Sequence, residues 1–347
     1  AIDAISASAL KLIDVKNPMH GMVLVFLITS LLTYGGVALF VVMFAAVPLA
    51  KSLFYEMNIP WKLAPLPIIL GLGGYTAGTL PGSPSVINVI PTKVLGTNLT
   101  AGVLSGLIGS LVMVVISIVY MRFALNSELK KVHRVPTEKP ESDGNGKKPG
   151  LLIALIPLFL LIGLILAGSA LQIDNILIIS LVTVIIVEMI LFHPYVSSHF
   201  QVLNKGTTDA LMPLLSTAST IAYGNLIANN PEVSKLTTKI MESSKAKLIT
   251  GSILTVVYSV ITASSSGAIG IIISTQGKYL LSLGISAEAI HRVLATASTL
   301  LPNLPHSGVV IALLSLAGLS HKEAYKHVFL APLLVGVFGL VTTMLLS

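Results

Sequence analysis

The chain has 347 residues and a net charge of +7. Only 10% of its residues are charged, 54% are apolar, and its mean hydropathy is +0.91. A soluble domain carries about a quarter charged residues, so there is too little charge to coat a water-facing surface, which argues against an ordinary cytoplasmic enzyme. Cys is absent, which removes disulfides, thiolate metal sites and Cys nucleophiles.

In chain order, Ile2, Ile5, Ala9, Leu12 and Ile13 fall at helical spacing opposite Asp3, Lys11 and Asp14. This pattern predicts a helix lying in the membrane interface. Residues 21–50 form an uncharged run with a small polar knot at Thr33-Tyr34-Gly35-Gly36. After a polar link (51–62), a second run (63–92) is interrupted by Pro81-Gly82-Ser83-Pro84. Residues 99–121 form a single crossing. Residues 126–150 are a polar linker, and its Lys and Arg place it on the cytoplasmic side. Three further crossings follow, at 151–170, 174–192 and 208–228. A second amphipathic helix is predicted at 231–245, with Pro231 at its start. The run 248–277 has its knot at Ser264-Ser265-Ser266-Gly267. The run 293–320 is uncharged apart from His306 and is broken by Pro302-Asn303-Leu304-Pro305. A crossing at 328–347 closes the chain.

The same order of features occurs twice: amphipathic helix, knotted run, polar link, run broken at P-x-x-P, clean crossing. The predicted organisation is a first repeat (1–125), the linker (126–150) and a second repeat (151–347). The second repeat opens with three spans that the first lacks. We therefore expect the given chain to lack about three N-terminal spans, roughly 80–100 residues. An odd number of crossings between repeats makes them inverted, which is the sequence pointer to a secondary transporter. The expected fold is an all-α polytopic membrane protein with inverted repeats, each containing a re-entrant hairpin and a Pro-broken helix.

A straight helix over 21–50 would be about 45 Å long, against a hydrocarbon core of about 30 Å. The knot divides the run into two short arms, so a hairpin fits better, with Gly35 and Gly36 at its turn. The bland alternative is a tilted helix whose Ser and Thr bond back to their own carbonyls. At the breaks, Pro81, Gly82 and Pro84, and likewise Pro302 and Pro305, unwind the helix and free carbonyls. Ser85 caps the restart, with Asn88 a turn further on, and His306 and Ser307 stand at the second restart. Restarted N-termini suit a carboxylate and unwound carbonyls a cation. The candidate substrate-binding residues are Thr33, Tyr34, Gly35, Gly36, Ser83, Ser85, Asn88, Ser264, Ser265, Ser266, Gly267, Asn303 and Ser307. His306 is the candidate for ion coupling, because an ionisable group within a span is functional by default and imidazole suits proton handling. A neutral, hydrogen-bonded His is the alternative. Arg292 opens a span, where attracting anions and snorkelling to the interface are both open. Asp209 and Glu188 read as interfacial.

Two blocks also resemble the gluconate permease family of sugar-acid:proton symporters. The first is Leu80-Pro-Gly-Ser-Pro-Ser-Val-Ile-Asn-Val-Ile-Pro-Thr92 with Gly96-Thr-Asn98. The second is His291-Arg-Val293, Leu304-Pro-His-Ser-Gly308 and Ala317-Gly-Leu-Ser-His321. The resemblance implies inverted repeats with hairpins and broken helices, proton symport of a sugar acid, and a location in the bacterial inner membrane. The first tip lacks the acidic residue found in several of these permeases, so a branch carrying small hydroxy acids such as hydroxybutyrate resembles the chain at least as well. The resulting expectation is a non-enzymatic, proton-coupled symporter of a small hydroxycarboxylate or sugar acid, with sodium coupling as the alternative. An intramembrane Ser/His hydrolase and a channel are remote rivals, and the chain has no G-x-S-x-G elbow. The expected partners are a small organic anion, H+ or Na+, the lipid bilayer and, as a candidate assembly, a homodimer. No nucleic acid, cofactor or metal is called for.

Overall fold

A computed structural model describes residues 17–130 and 151–347, apart from positions 38, 172, 174, 197 and 229. The N-terminal amphipathic helix and most of the polar linker lie outside the described residues. Within them every regular element is helical. With the run of apolar helices, this makes the chain an all-α polytopic membrane protein.

Each knotted run is two helices. Helix α1 (Pro18–Tyr34) starts at Asn17, whose side chain accepts from the Met19 N–H at 3.1 Å, and it ends at Gly35. Gly36 follows at φ +86, in the left-handed region that glycine adopts without strain. Helix α2 (Leu39–Glu56) returns and packs on α1. The arms are 17 and 18 residues, about 26 Å each, longer than the uncharged run allowed. They continue through Pro18–His20 and Lys51–Glu56, because a charge at the border of a run need not end a helix. By length and composition the helix Leu39–Glu56 is one of three described helices, with Val103–Leu129 and His321–Leu345, long and apolar enough to cross a membrane. The hydroxyls of Thr29, Ser30 and Thr33 donate to Val25, Phe26 and Thr29 carbonyls. The back-bonding of the bland alternative and the helix break therefore occur together.

After a short 3-10 turn (Trp61–Leu63), the first broken helix consists of α3 (Pro65–Leu72) and α4 (Val86–Leu95). The interruption is wider than the P-x-x-P. It begins at Gly73-Gly74 and includes a π-type turn over Tyr75–Thr79. Ser85 caps α4, and Gly96 ends it at φ +68. A long span follows, α5 (Val103–Leu129), which runs past Arg122 into the residues assigned to the linker. Helices α6 (Leu151–Ala170) and α7 (Ile176–Leu191) pack on each other, and α8 (His199–Ala228) is longer than the crossing predicted at 208–228.

Helix α9 (Pro231–Ser243) is amphipathic as expected. Asn230 caps it, and Met241 is buried against α10, while Leu236 is exposed. The second knotted run is α10 (Lys247–Thr262) and α11 (Ser265–Ser282), joined through Ala263 at φ +48 and Ser264. The second broken helix is α12 (Ala287–Ser298) and α13 (Gly308–Leu316), with residues 299–307 between them. Helix α14 (His321–Leu345) closes the chain behind a Ser320/Glu323 capping box.

Two apolar cores organise these pieces. In one, α1 and α2 pack with α3 and α13, joined by α5 and α14 (Phe26, Met43, Leu66, Leu313, Val328). In the other, α10 and α11 pack with α4 and α12 (Ile87, Ile269, Ile272, Ile290, Leu294). Each helix pair thus takes one arm from each broken helix. The spans α5 and α14 are bound through small residues, as membrane helices require for close approach. A Cβ at Gly109 would lie 2.6 Å from Thr343 Oγ1, and Gly339 lies against Met113. Gly106 serves the first break in the same way: a Cβ there would lie 2.6 Å from the Thr79 carbonyl oxygen and 2.8 Å from Pro81. We expect Gly106→Ala to cost about 1–3 kcal/mol, since backbone must move to admit the methyl. The thermal midpoint of the purified protein in detergent should fall, and an unchanged midpoint would contradict this packing.

Candidate functional site

The two knots and the two breaks converge on one cavity of about 320 Å³. Thr33 and Gly36 reach it from the first tip, and Ser264, Ser265 and Ser266 from the second. Gly73, Gly74, Pro84 and Ser85 line it from the first break, and Thr299, Pro302, Asn303 and Ser307 from the second. Met113 of α5 and Pro332, Val335 and Gly336 of α14 complete the wall.

Four helices begin at this wall. The lining residues include Leu39 and Phe40 of α2, Ser85 to Ile87 at the start of α4, Ser264 to Ser266 at the start of α11, and Ser307 at the start of α13. The first turn of a helix has unpaired N–H groups and the positive end of its dipole, so each is suited to an anion. Ser85 and Ser264 spend their side-chain oxygens on the Ile87 and Gly267 N–H groups. Ser307 makes no such cap, is buried and lines the cavity, so its side chain leaves the N–H groups at the start of α13 uncapped. None of the residues lining the cavity is ionisable, so the only positive potential at the wall itself comes from the helix ends.

Other predicted residues stand behind the wall. Tyr34 donates its hydroxyl to the Pro81 carbonyl at 2.7 Å, tying the first tip to the first break. Gly35 caps α1 and Gly267 takes the Ser264 cap, and neither lines the cavity. Ser83 and Asn88 are fully buried. Asn88 Nδ2 donates to the Ser83 and Leu99 carbonyls, both at 2.8 Å, and Asn88 Oδ1 faces His291 Nε2 at 2.9 Å. With the amide fixed this way, His291 donates from Nε2 and accepts the Thr97 hydroxyl at Nδ1, 2.7 Å away. The chain Thr97–His291–Asn88 therefore joins the two sequence blocks that carry the family resemblance.

Two sequence readings change. His306 is exposed and absent from the cavity wall, because residues 299–307 unwind and its side chain leaves the bundle. Arg292 does not snorkel: it is 0% exposed. Its Nε and Nη2 donate to Ala101 O at 2.9 and 2.6 Å, and Nη1 donates to Gly78 O at 2.9 Å. The sequence leaves anion attraction and snorkelling both open for Arg292, and gives His291 only as part of the second resemblance block. The signal that could have found them is the carbonyl-rich break they would face.

The profile of the family described as “DcuC: C4-dicarboxylate anaerobic carrier” matches residues 72–347. A protein of Bacillus subtilis (strain 168) described as “Uncharacterized transporter YxjC” is 30% identical over an alignment of 376 residues, covering 94% of this chain and 78% of that relative. The chain belongs to the C4-dicarboxylate anaerobic carrier family. It is a membrane carrier of organic anions and not an enzyme. The gluconate permease resemblance is corrected to that extent. Helix breaks and their capping residues encode how a carboxylate can be met, not which acid carries it.

Replacing Asn88 by Ala leaves His291 Nε2 and the Ser83 carbonyl without their Asn88 partner in a buried site, while Leu99 O keeps Gly82 N. We expect Asn88→Ala to cost about 2–3 kcal/mol, read as a lowered thermal midpoint. A variant as stable as the parent would remove Asn88 from this role.

Proposed function

We propose that this member of the C4-dicarboxylate carrier family is a proton-coupled symporter of the bacterial inner membrane. Its substrate is an acid of a few carbons, with a carboxylate at one end and a second polar group at the other. The observation that carries the reading is the uncharged cavity met by four helix starts. A volume of about 320 Å³ is at the small end of ligand pockets, about 300–1,000 Å³, and suits a short chain. The family's description favours a second carboxylate as the other polar group, whereas the hydroxyls of Ser265, Ser266 and Thr299 favour a hydroxy acid. Thr33, Gly36, Ser85, Ser264, Ser265, Ser266, Asn303 and Ser307 are the proposed contacts, with Tyr34, Gly35, Ser83, Asn88 and Gly267 supporting them.

In this reading α1–α2 and α10–α11 are re-entrant hairpins, and the two repeats have opposite orientation. The exchange of arms between the two cores supports it, since a twofold relation requires each half to do to the other what the other does to it. Alternating access would then move one core against the other around the cavity.

Proton rather than sodium coupling is favoured by what occupies the unwound carbonyls. Pro81 O accepts from Tyr34, Ser83 O from Asn88, and Gly78 O from Arg292. At the second break, Asn303 O accepts from the Tyr325 hydroxyl and Pro305 O faces His321 Nε2 at 3.0 Å. A sodium ion would have to compete with these donors for the same oxygens. His306, exposed between Pro305 and the cavity residue Ser307, is the proposed coupling group.

In proteoliposomes, uptake of a labelled acid chosen by a stabilisation screen of short dicarboxylates and hydroxy acids should rise with an inward proton gradient. It should be unchanged when choline replaces sodium. Uptake that follows sodium and ignores the proton gradient would reject the coupling. His306→Ala should flatten the pH dependence of uptake, and an unaltered profile would reject that assignment.

A further inference from the structure

Arg292 is not among the proposed substrate contacts, yet it is the largest fully buried side chain described. A guanidinium out of water costs several kcal/mol unless its donors are met. Here they are met by main-chain carbonyls: Gly78, Ala101 and, at 3.4 Å, Leu99. Carbonyls satisfy its N–H groups without cancelling its charge. Among the described residues no carboxylate forms an ion pair with it. Glu288, one turn earlier on α12, is exposed and accepts the Gly102 N–H at 3.2 Å.

The position is specific. Arg292 holds the π-type turn at Gly78, and the neighbouring Ala77 lines the cavity. Gly78 lies against α12 so closely that a Cβ would be 2.6 Å from the Ala295 carbonyl oxygen. Thr299, seven residues and about 10 Å further along the same chain direction, is also on the cavity wall. Gly102, at φ +63, lets the loop cross the Arg292 stem, where a Cβ would be 2.8 Å from Arg292 Cβ. The first break thus encloses a cation supplied by the chain itself, one layer behind a cavity with no charged side chain.

We propose that Arg292 is a fixed cation of the first helix break, a positioning residue whose field makes the cavity select anions by their charge. It acts through space and through the carbonyls it turns away from the substrate, without touching the substrate. A field in a low-dielectric site is felt in proportion to ligand charge. A dianion should therefore gain more from Arg292 than a monoanion of the same shape. The inference rests on the cavity being the anion site.

The test compares binding of succinate and monomethyl succinate to the full purified chain by calorimetry, in the parent, Arg292→Lys, Arg292→Gln and Glu288→Gln. We expect Arg292→Gln to weaken succinate on the order of tenfold and the monoester about threefold, and Arg292→Lys to restore most of the difference. Glu288→Gln keeps an acceptor for Gly102 while removing an opposing charge, so it should tighten succinate more than the monoester, an effect that high salt reduces. Equal losses for both ligands in Arg292→Gln, or no rescue by Lys, would mark a purely structural role and overturn the proposal. If Arg292→Gln does not fold, unchanged succinate-to-monoester selectivity in Glu288→Gln at low salt overturns it instead. A parent protein that binds neither ligand nor any acid of the screen rejects the cavity as the anion site, and this inference with it.

Discussion

Backbone that leaves a helix inside a bilayer exposes carbonyl and amide groups that lipid cannot satisfy. This carrier meets that constraint by borrowing donors from elements distant in sequence. Leu99 O alone accepts from Gly82 N, Asn88 Nδ2 and Arg292 Nη2. Tyr34, Asn88 and Arg292 serve the first break from two other helices and from its own restart. Tyr325 and His321 serve the second from α14. The carbonyls of Gly78, Pro81 and Ser83 at the first break and of Asn303 and Pro305 at the second are thus tied to protein, while the helix starts beside them face the cavity. This asymmetry between satisfied acceptors and available donors is what the proposed anion site draws on.

The long spans provide the support against which the breaks are held. Gly109 and Gly339 bring α5 and α14 close enough for Met113 and Thr343 to fill the gap. Both helices also contribute to the cavity wall through Met113 and Val335. At the far end of these spans Lys62 is paired with Glu128, and Tyr120 and His327 are hydrogen-bonded at 3.2 Å. Trp61 Nε1 donates to Ala317 O at 2.9 Å, joining the turn before α3 to the loop after α13. One end of the bundle is therefore fastened by polar side chains, whereas the interior of the α5–α14 contact relies on shape.

The interruptions were legible because their causes are local. Gly35-Gly36, Pro81 to Pro84, Ser264 to Gly267 and Pro302 to Pro305 each disfavour continuous helix whatever surrounds them. Arm lengths were less legible: Lys51 and Glu56 look like the end of a run but sit within α2, since a bordering charge can reach water from inside a helix. The burial of Arg292 and the exposure of His306 are hard to read from sequence for one shared reason. Sequence position relative to an apolar run does not give depth, which follows from where the unwound segments fold. Arg292 is drawn inward by carbonyls at Gly78 and Ala101, more than 190 positions earlier, and no local pattern announces them. His306 is carried outward by the unwinding that its own prolines cause.

The sharing of arms between the two cores has a mechanical consequence. Because α3 and α13 belong to one core and α4 and α12 to the other, each broken helix works as a strap sewn to both sides of a seam, with its slack at the cavity. A displacement of one core cannot be confined to a remote surface. It must be taken up in residues 73–85 and 299–307, which also form much of the cavity wall. The shape of the cavity and any movement of one core against the other therefore depend on the same few peptide bonds.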